Sequence, residues 1–342
     1  MQVALVGVNG YSGMTLYRLL KQHPAVDQIK LYGHTDSKPT TLAALVPVFQ
    51  KETVRVRPFD AATVMAENDV VFFATSAGVT KTLALPLIAA NFPVIDLSGD
   101  FRLRQPDAYE TWYHQTAAPV AALAKASYGL AEFNHHLTPY VANPGCYATA
   151  TLLGLAPVVQ QHLIEPTSIV VDAKSGLSGA GKKLSTTSQF TMVNDNLQLY
   201  KLNQHQHIPE IMQQLQQWWP KVPALEFTTT LIPVTRGIMS TIYAKAAQPT
   251  TTAELVAAYQ QVYQDQPFVQ VLPADDLPTL KQVVGSNDCA IGVNYNPITN
   301  TILIVSVIDN LMKGAAGQAV QNFNQLFQYP ATAGLPDLPV FP

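Results

Sequence analysis

A glycine-rich turn directly behind the first apolar run is the feature that most restricts the fold of this chain of 342 residues. Residues Gln2–Gly7 form a short apolar run that indicates a strand, and Ser12–Leu20 carries apolar residues at helical spacing. The glycines of the turn between them let backbone amides approach a pyrophosphate at a helix N-terminus. The spacing alone is weak evidence, but its place after an N-terminal strand favours a dinucleotide site. The predicted cofactor contacts in this turn are Gly7, Asn9, Gly10, Tyr11, Ser12 and Gly13.

The first part of the chain alternates between strand and helix patterns. Further strand candidates lie at Gln28–Gly33, Asp69–Ala74 and Pro93–Leu97, and Val79–Ala90 is helix-like. This alternation is typical of a parallel sheet with crossover helices. Residues 1–145 are therefore predicted to form an α/β, Rossmann-like dinucleotide-binding domain.

The pattern changes after the Asn143-Pro-Gly145 sequence. A helical stretch, Ala148–Gln161, is followed by strand candidates with few helices between them: Ser168–Ala173, Ala224–Ile232, Ser240–Ala246, Phe268–Leu272, Cys289–Val293 and Thr301–Ile308. We predict an α+β domain with a mostly antiparallel sheet over residues 146–308, for catalysis, substrate binding and oligomerisation. The segment 309–342, with a helical pattern at Asn310–Gln328 and an irregular Pro-rich tail, is predicted to complete the first domain.

The residues after the second predicted strand help to distinguish NADP from NAD as the cofactor. An acidic residue there usually binds the ribose of NAD, whereas Asp36 is followed here by Ser37 and Lys38, which could bind a 2'-phosphate. This favours NADP. The alternative is that residues 34–38 form an ordinary solvated turn.

Cys146 is the candidate nucleophile. It follows an Asn-Pro-Gly turn at the start of a predicted helix, and a helix N-terminus stabilises the reactive thiolate. A lone cysteine is more often a small buried hydrophobe, which is the interpretation that we give to Cys289.

A base for this nucleophile is available in His205-Gln-His207-Ile-Pro-Glu210, where two histidines precede a helix predicted to begin near Pro209. Glu210 could orient one imidazole, as the acid of a triad does. A metal site is the less favoured alternative because no third ligand has suitable spacing. Surface histidines in a polar loop are a further alternative.

The composition argues against several classes of protein. The two cysteines form no CxxC pair, which argues against disulfides and a thiolate zinc site. The N-terminal sequence lacks the pattern of a signal peptide, and no apolar stretch approaches the roughly 20 residues of a membrane span. A net charge of −3 without a basic run does not indicate a nucleic acid or a membrane partner. A small molecule and a cytoplasmic location are expected.

The chain resembles the N-acetyl-gamma-glutamyl-phosphate reductases, relatives of the aspartate-semialdehyde dehydrogenases, over nearly its whole length. The resemblance is carried in order by Gly7–Gly13, Asp96–Arg102, Tyr128–Leu130, Asn143–Thr149, Asp172–Lys182, His205–Glu210, Pro233–Gly237 and Ile308–Gln318. Val8-Asn9 stands where Ala-Thr is usual, and the Ala74–Gly78 loop lacks a common histidine. These two departures affect how the cofactor would pack, and neither changes the candidate nucleophile.

The resemblance implies that Cys146 accepts the acyl group and that His205 or His207 supplies the acid and base. It implies NADPH-dependent reduction of an acyl phosphate through a thioester. The implied substrate-binding residues are Arg102, Arg236, Asn143 and Ser175, with the assignment of the two arginines to phosphate and carboxylate left open. The implied further cofactor contacts are Ser76, Gly176, Ser178, Gly179, Ala180 and Asn310.

Three alternatives to this function stay open. A sister reductase could act on aspartyl or N-protected aminoadipyl phosphate, a cysteine hydrolase or acyltransferase could use the same pair without redox chemistry, and a nucleotide-sensing protein could be catalytically silent. A homodimer or homotetramer is expected, because antiparallel sheets of this kind often pair across two-fold axes.

Overall fold

The protein is described by a computed structural model. It describes residues 1–34 and 38–340, without the side chain of Thr187. Ser37, a predicted ligand of the 2'-phosphate, and Asp36, which precedes it, lie outside the described residues.

The chain forms two compact units. Unit 1 consists of Met1–Pro144 and Ala315–Leu335, and unit 2 consists of Gly145–Gly314 with residues 336–340. Residues 309–314 and 336–340 thus lie in unit 2, whereas the prediction assigned the segment 309–342 to the first domain. The reason is local bonding within unit 2: the Asp309 carboxylate accepts the amide of Gly285, and the amide of Val340 donates to the Val284 carbonyl.

Unit 1 contains one twisted, almost entirely parallel sheet. Its strands in the described residues are β1 (Gln2–Val6), β2 (Gln28–Tyr32), β3 (Thr40–Thr41), β4 (Arg55–Arg57), β5 (Val70–Phe73), β6 (Val94–Asp96), β7 (Ala126–Tyr128) and β8 (Tyr140–Ala142). The order is β3-β4-β2-β1-β5-β6-β8-β7, and β3 alone runs antiparallel to its neighbour among these strands. Every residue of β5 is buried because crossover helices cover a parallel sheet on both faces.

The crossover helices of unit 1 are short. In the described residues they are α1 (Tyr11–Gln22), α2 (Leu42–Leu45), α3 (Ala61–Glu67), α4 (Thr80–Leu83), α5 (Leu85–Ala89), α6 (Pro106–Tyr113) and α7 (Val120–Leu123). The predicted helix Val79–Ala90 is divided into α4 and α5. The division comes just before Pro86, whose ring cannot continue a preceding helix and is tolerated only in a first turn.

Unit 2 is built around one long buried helix and a mixed sheet. Its elements in the described residues are α8 (Cys146–Gln160), β9 (Val170–Ser175), α9 (Phe190–Val193), β10 (Gln198–Leu199), α10 (His207–Trp218), β11 (Glu226–Leu231), β12 (Ile238–Lys245), α11 (Thr252–Tyr263), β13 (Val269–Val271), β14 (Cys289–Asn296) and β15 (Thr301–Ile308). The strand order is β10-β11-β9-β12-β15-β14-β13.

The predicted mostly antiparallel character of this sheet is confirmed. The β9–β11 and β13–β14 pairs are parallel, and the other pairs of the described sheet are antiparallel. Helix α8 is apolar around nearly its whole circumference, which is why it is enclosed between α10 and the face of strands β12 and β15. Its first residue, Cys146, is thereby fixed at the end of a rigid element.

The chain returns to unit 1 through a π-helical turn. Residues Met312–Ala316 form this turn, and α12 (Gly317–Leu326) follows it and packs against α1. Within unit 1, the side chains of Gln318 and Asn322 both donate hydrogen bonds to the carbonyl of Gly129. Two buried amide side chains therefore attach this helix to the loop after β7.

Candidate active site

The glycine-rich turn of unit 1 has the close packing that its sequence predicts. A Cβ on Gly13 would lie 2.2 Å from the Gly7 carbonyl oxygen, so only glycine lets α1 begin directly against the turn. The first turn of α1, Tyr11 to Gly13, presents backbone amides at the positive end of the helix. This end of α1 can therefore receive a phosphate group.

A cavity of about 500 Å³ lies at the carboxyl ends of β1, β2 and β5 within unit 1. The predicted cofactor residues that line it are Gly7, Asn9, Gly10, Lys38 and Ser76. His34 and Thr75 line it as well, although neither was predicted to contact the cofactor. Its size is within the range of small-molecule pockets, and its place at the strand ends is where doubly wound sheets bind nucleotides.

A buried pair of acids supports the loop that follows β5. Asp100 accepts hydrogen bonds from the amides of Gly78 and Lys81, which fixes the segment behind Ser76. Asp96 accepts hydrogen bonds from the Ser98 and Tyr140 hydroxyls. Burial, reinforced by the charge of Asp100, raises the pKa of Asp96 to about 6. The Asp96–Arg102 motif thus organises the wall of the cavity.

Arg102 and Asn143, two predicted substrate residues, contact each other within unit 1. Arg102 is only 8% exposed and donates from Nε to the Asn143 carbonyl and from Nη2 to the Leu97 carbonyl, both at 2.8 Å. The Asn143 side chain accepts a hydrogen bond from Asn322 and donates one to the Ala315 carbonyl. The structure gives both side chains protein partners that fix the start of the Asn-Pro-Gly turn.

Cys146 stands at the N-terminus of α8, in the position that stabilises a thiolate. Its side chain is half-buried, whereas Cys289 in β14 is fully buried, as predicted for an inert thiol. The preceding residue, Gly145, donates its amide hydrogen to Oε1 of Glu210 at 2.7 Å. This contact places Glu210 at the cap of the nucleophile's helix, a role that its sequence position did not reveal.

The two histidines of the His205–Glu210 motif have different surroundings. His207 begins α10, and a Cβ on Gly145 would lie 2.2 Å from its Nε2, so this nitrogen is packed against the residue before Cys146. The His207 amide donates to Nδ1 of His205 at 3.2 Å, which requires an unprotonated Nδ1. Burial, together with nearby His207 and Lys201, lowers the pKa of His205 to about 2. His205 is held neutral. His207 is the imidazole beside Gly145, the N-cap residue of the helix that begins at Cys146.

Two tyrosines, neither of them predicted from the sequence, complete this cluster. The Tyr200 hydroxyl donates to the Tyr147 hydroxyl at 3.0 Å, and the Tyr147 ring lies edge-on to the rings of His205 and His207. Burial is the main cause that raises the pKa of both tyrosines, and the negative charge available to Cys146 raises each further. Tyr147 could have been found from its place next to Cys146, but Tyr200 carries no such signal.

The Gly/Ser loop after β9 is paired with the turn between β11 and β12. Gly176, Leu177 and Ser178 donate their amides to carbonyls of the Val234–Gly237 turn. Asn310 accepts the Gly237 amide through Oδ1 and donates from Nδ2 to the Ser178 hydroxyl. Ser175 ends β9 and is buried, while Gly179 and Ala180 are exposed in a 3-10 turn. Arg236 lies in the same turn, paired with Asp309.

Residues 1–34 and 38–340 contain no cluster of three or more His, Cys, Asp or Glu side chains that could hold a metal ion. Across the same described ranges, no helix has the length and apolar character needed to span a membrane.

Comparisons with known proteins identify relatives over the whole chain. Residues 2–138 match the semialdehyde dehydrogenase NAD binding domain, and residues 146–310 match the semialdehyde dehydrogenase dimerisation domain. The N-acetyl-gamma-glutamyl-phosphate reductase 2 of Lactiplantibacillus plantarum is 68% identical, with both chains fully covered. The N-acetyl-gamma-glutamyl-phosphate reductases of Limosilactobacillus fermentum and Listeria monocytogenes are 54% and 51% identical, again over 100% of each chain.

Solved structures share the fold. Aspartate semialdehyde dehydrogenase II of Vibrio cholerae superposes with a TM-score of 0.71 at 20% identity, covering 96% of this chain and 98% of that one. The Candida albicans aspartate semialdehyde dehydrogenase with NADP gives a TM-score of 0.68 at 16% identity, covering 95% and 98%.

Proposed function

The chain belongs to the N-acetyl-gamma-glutamyl-phosphate reductase family of semialdehyde dehydrogenases, and on this premise we propose that it reduces N-acetyl-L-glutamyl 5-phosphate with NADPH in arginine biosynthesis. The products are N-acetyl-L-glutamate 5-semialdehyde and phosphate. The observation that carries the proposal is the placement of Cys146 at a helix N-terminus with His207 packed against its cap residue.

Cys146 acts as the nucleophile in this reaction. Its thiolate attacks the acyl carbon, the carbon–oxygen bond to phosphate breaks, and a thioester remains on the sulfur. NADPH, when bound, supplies the hydride that reduces this thioester. His207 as imidazolium donates a proton to the developing oxyanion and takes it back as the carbon–sulfur bond breaks. The cycle therefore ends with the thiolate and the imidazolium restored.

The neighbours of this pair keep it in place. His205 stays neutral and accepts the amide of His207, so it orients the first turn of α10 without competing for the proton. Glu210 holds the Gly145 amide and thereby the start of α8. We assign Cys146 and His207 to the chemistry, and His205 and Glu210 to positioning.

The cofactor residues that we propose lie in unit 1, in the loop after β9 and, for Asn310, just after β15. The fit is supported by the cavity at the strand ends and by the glycine packing that frees the N-terminus of α1 for a pyrophosphate. Lys38, which lines the cavity, is proposed to bind the 2'-phosphate and to favour NADP. The proposed contacts are Gly7, Asn9, Gly10, Tyr11, Ser12, Gly13, Ser37, Lys38, Ser76, Gly176, Ser178, Gly179, Ala180 and Asn310.

The substrate contains two anionic groups, which need cationic ligands. Arg236 is proposed for one of them. Arg102 was predicted for the other, and its bonds to the Asn143 and Leu97 carbonyls support a role in holding the Asn-Pro-Gly turn as well. Asn143 shares this positioning role, while Ser175 is proposed to face the substrate beside Tyr147.

The proposed activity is tested by an assay in the oxidative direction with NADP and phosphate. We expect N-acetyl-L-glutamate 5-semialdehyde to give kcat/KM at least about a hundredfold above aspartate semialdehyde, because the latter is one methylene shorter and carries a charged ammonium in place of the neutral acetamido group. Without phosphate the thioester has no acyl acceptor, so the reaction should stop after about one NADPH per active site. A preference for aspartate semialdehyde would assign the chain to the sister reaction, and absence of NADP reduction would refute the proposal.

We propose that the protein is a cytoplasmic homodimer or homotetramer assembled through unit 2. The dimerisation-domain match covers residues 146–310. The described surface of unit 2 exposes large apolar side chains, whose contact with water is unfavourable and which a second subunit could cover: Leu184, Phe190, Leu197 and Leu199. The two free cysteines suit a reducing compartment. Light scattering of the full chain should give two or four times the protomer mass of 37.2 kDa. A monomer at micromolar concentration would contradict this assignment.

A further inference from the structure

We infer that Asp309 is a positioning residue that orients Arg236 toward an anionic group of the substrate, an inference that rests on the proposed function. Asp309 follows β15 directly and its carboxylate is fully buried, whereas the Arg236 side chain is 24% exposed. The pair thus joins a fixed interior charge to a guanidinium that reaches solvent.

The carboxylate contacts one edge of the guanidinium. Nε of Arg236 lies 3.3 Å from Oδ1, and Nη2 lies 3.1 Å from Oδ1 and 3.0 Å from Oδ2. This side-on pairing defines the plane of the guanidinium as well as its position, because the donors form a rigid fork. Lysine in place of arginine could not be oriented in this way.

Asp309 is immobilised independently of Arg236. Oδ1 also accepts the amides of Leu311 and Met312, and Oδ2 accepts the amide of Gly285 at 2.7 Å. Three backbone amides therefore donate hydrogen bonds to the buried carboxylate in addition to those from Arg236. A carboxylate held this firmly serves as a template against which the arginine side chain is aligned.

Asn310, the residue after Asp309, fixes the backbone next to Arg236. Asn310 accepts the Gly237 amide at 2.8 Å, so consecutive side chains hold both Arg236 and the residue that follows it. Nη1, on the opposite edge of the guanidinium, donates no hydrogen bond to any residue in the ranges 1–34 and 38–340. That edge carries the donors that a carboxylate or phosphate group binds bidentately.

A double-mutant cycle tests whether Asp309 acts through Arg236. We expect Asp309→Asn and Arg236→Ala each to raise the KM for N-acetyl-L-glutamate 5-semialdehyde about tenfold to a hundredfold, the effect of a lost charged hydrogen bond. The KM for NADP should change less than twofold. In the Arg236→Ala background, Asp309→Asn should add less than a further twofold, because the residue to be oriented is already absent.

Two controls separate this role from a structural one. Asp288→Asn changes a buried carboxylate of unit 2 that accepts a hydrogen bond from the Gln270 side-chain amide, and it should leave the semialdehyde KM within twofold of wild type. Arg236→Lys keeps the charge but loses the fork, and its KM should approach that of Arg236→Ala. This variant keeps the test decisive if Asp309→Asn fails to fold, since a wild-type KM in Arg236→Lys would overturn the inference.

The same double-mutant cycle can be measured without turnover, as the dissociation constant of N-acetyl-L-glutamate determined by calorimetry. An inactive wild-type enzyme that binds this anion with the predicted non-additivity would refute the proposed function and retain the role of Asp309. Additive effects of the two substitutions, or equal increases in the KM of semialdehyde and NADP, would overturn the inference. So would the absence of any anion binding to the wild-type protein.

Discussion

Replacing Cys146 by serine is expected to lower kcat by about 10⁴-fold or more, the scale seen when a covalent nucleophile is removed. A serine hydroxyl is not ionised at neutral pH, and the N-terminus of α8 cannot make it so, whereas it favours the thiolate of cysteine. The dissociation constant for NADPH should stay within twofold of wild type, because the cavity and the glycine-rich turn belong to unit 1. Stopped-flow kinetics and fluorescence titration measure the two quantities.

The second cysteine supplies the matched control for this substitution. Cys289 is fully buried in β14, and its sulfur lies 3.4 Å from the Ser306 hydroxyl. Cys289→Ala should retain kcat within twofold, with a small loss of stability from the cavity it leaves. A Cys146→Ser enzyme that keeps a substantial part of the wild-type rate would show that the sulfur is not the acyl acceptor.

Replacing His207 by glutamine is expected to lower kcat by about 10²-fold to 10⁴-fold, the usual contribution of a general acid and base. Nε2 of His207 is packed against Gly145, so its loss removes the proton donor beside the nucleophile's cap. Alkylation of Cys146 by iodoacetamide at pH 7 should slow in the same variant, because the thiolate loses a cationic neighbour. Both rates are compared with those of wild type.

His205→Asn is the control for this histidine. Its amide oxygen can accept the His207 amide as Nδ1 of His205 does, so we expect a decrease in kcat of less than tenfold. The pKa of His205 is lowered to about 2, so it stays neutral over the assay range and cannot supply the imidazolium of the reductive reaction. In that direction the rate falls at alkaline pH as the imidazolium loses its proton, and this alkaline limb should persist in His205→Asn and vanish in His207→Gln. The reverse pattern would exchange the two roles.

The elements with strong local patterns could be predicted from the sequence. The strand, glycine turn and helix from Gln2 to Gln22, the strands of the second domain and the helix after Cys146 are all present. Local periodicity decides such elements because their buried faces are continuous in sequence. Short strands such as β7 and β8, with three residues each, have too few alternations to be recognised and form only through their neighbours.

The side-chain pairings of the site could not be predicted in the same way. The Glu210 contact with the Gly145 amide joins residues 65 positions apart, and the Arg236 pair with Asp309 joins residues 73 positions apart. Both depend on how α8, α10 and the sheet of unit 2 pack. Motif spacing could name Cys146 and the two histidines, but only the packing distinguishes the neutral His205 from the His207 beside the cap.

The most direct test of a thioester on Cys146 is the mass of the protein after a single oxidative half-reaction. Enzyme is mixed with N-acetyl-L-glutamate 5-semialdehyde and NADP without phosphate, quenched in acid, and analysed as intact protein and as peptides. We expect one NADPH per active site and an N-acetylglutamyl adduct on the peptide that contains Cys146. NADPH formation without an adduct, or an adduct on a different residue, would contradict the mechanism.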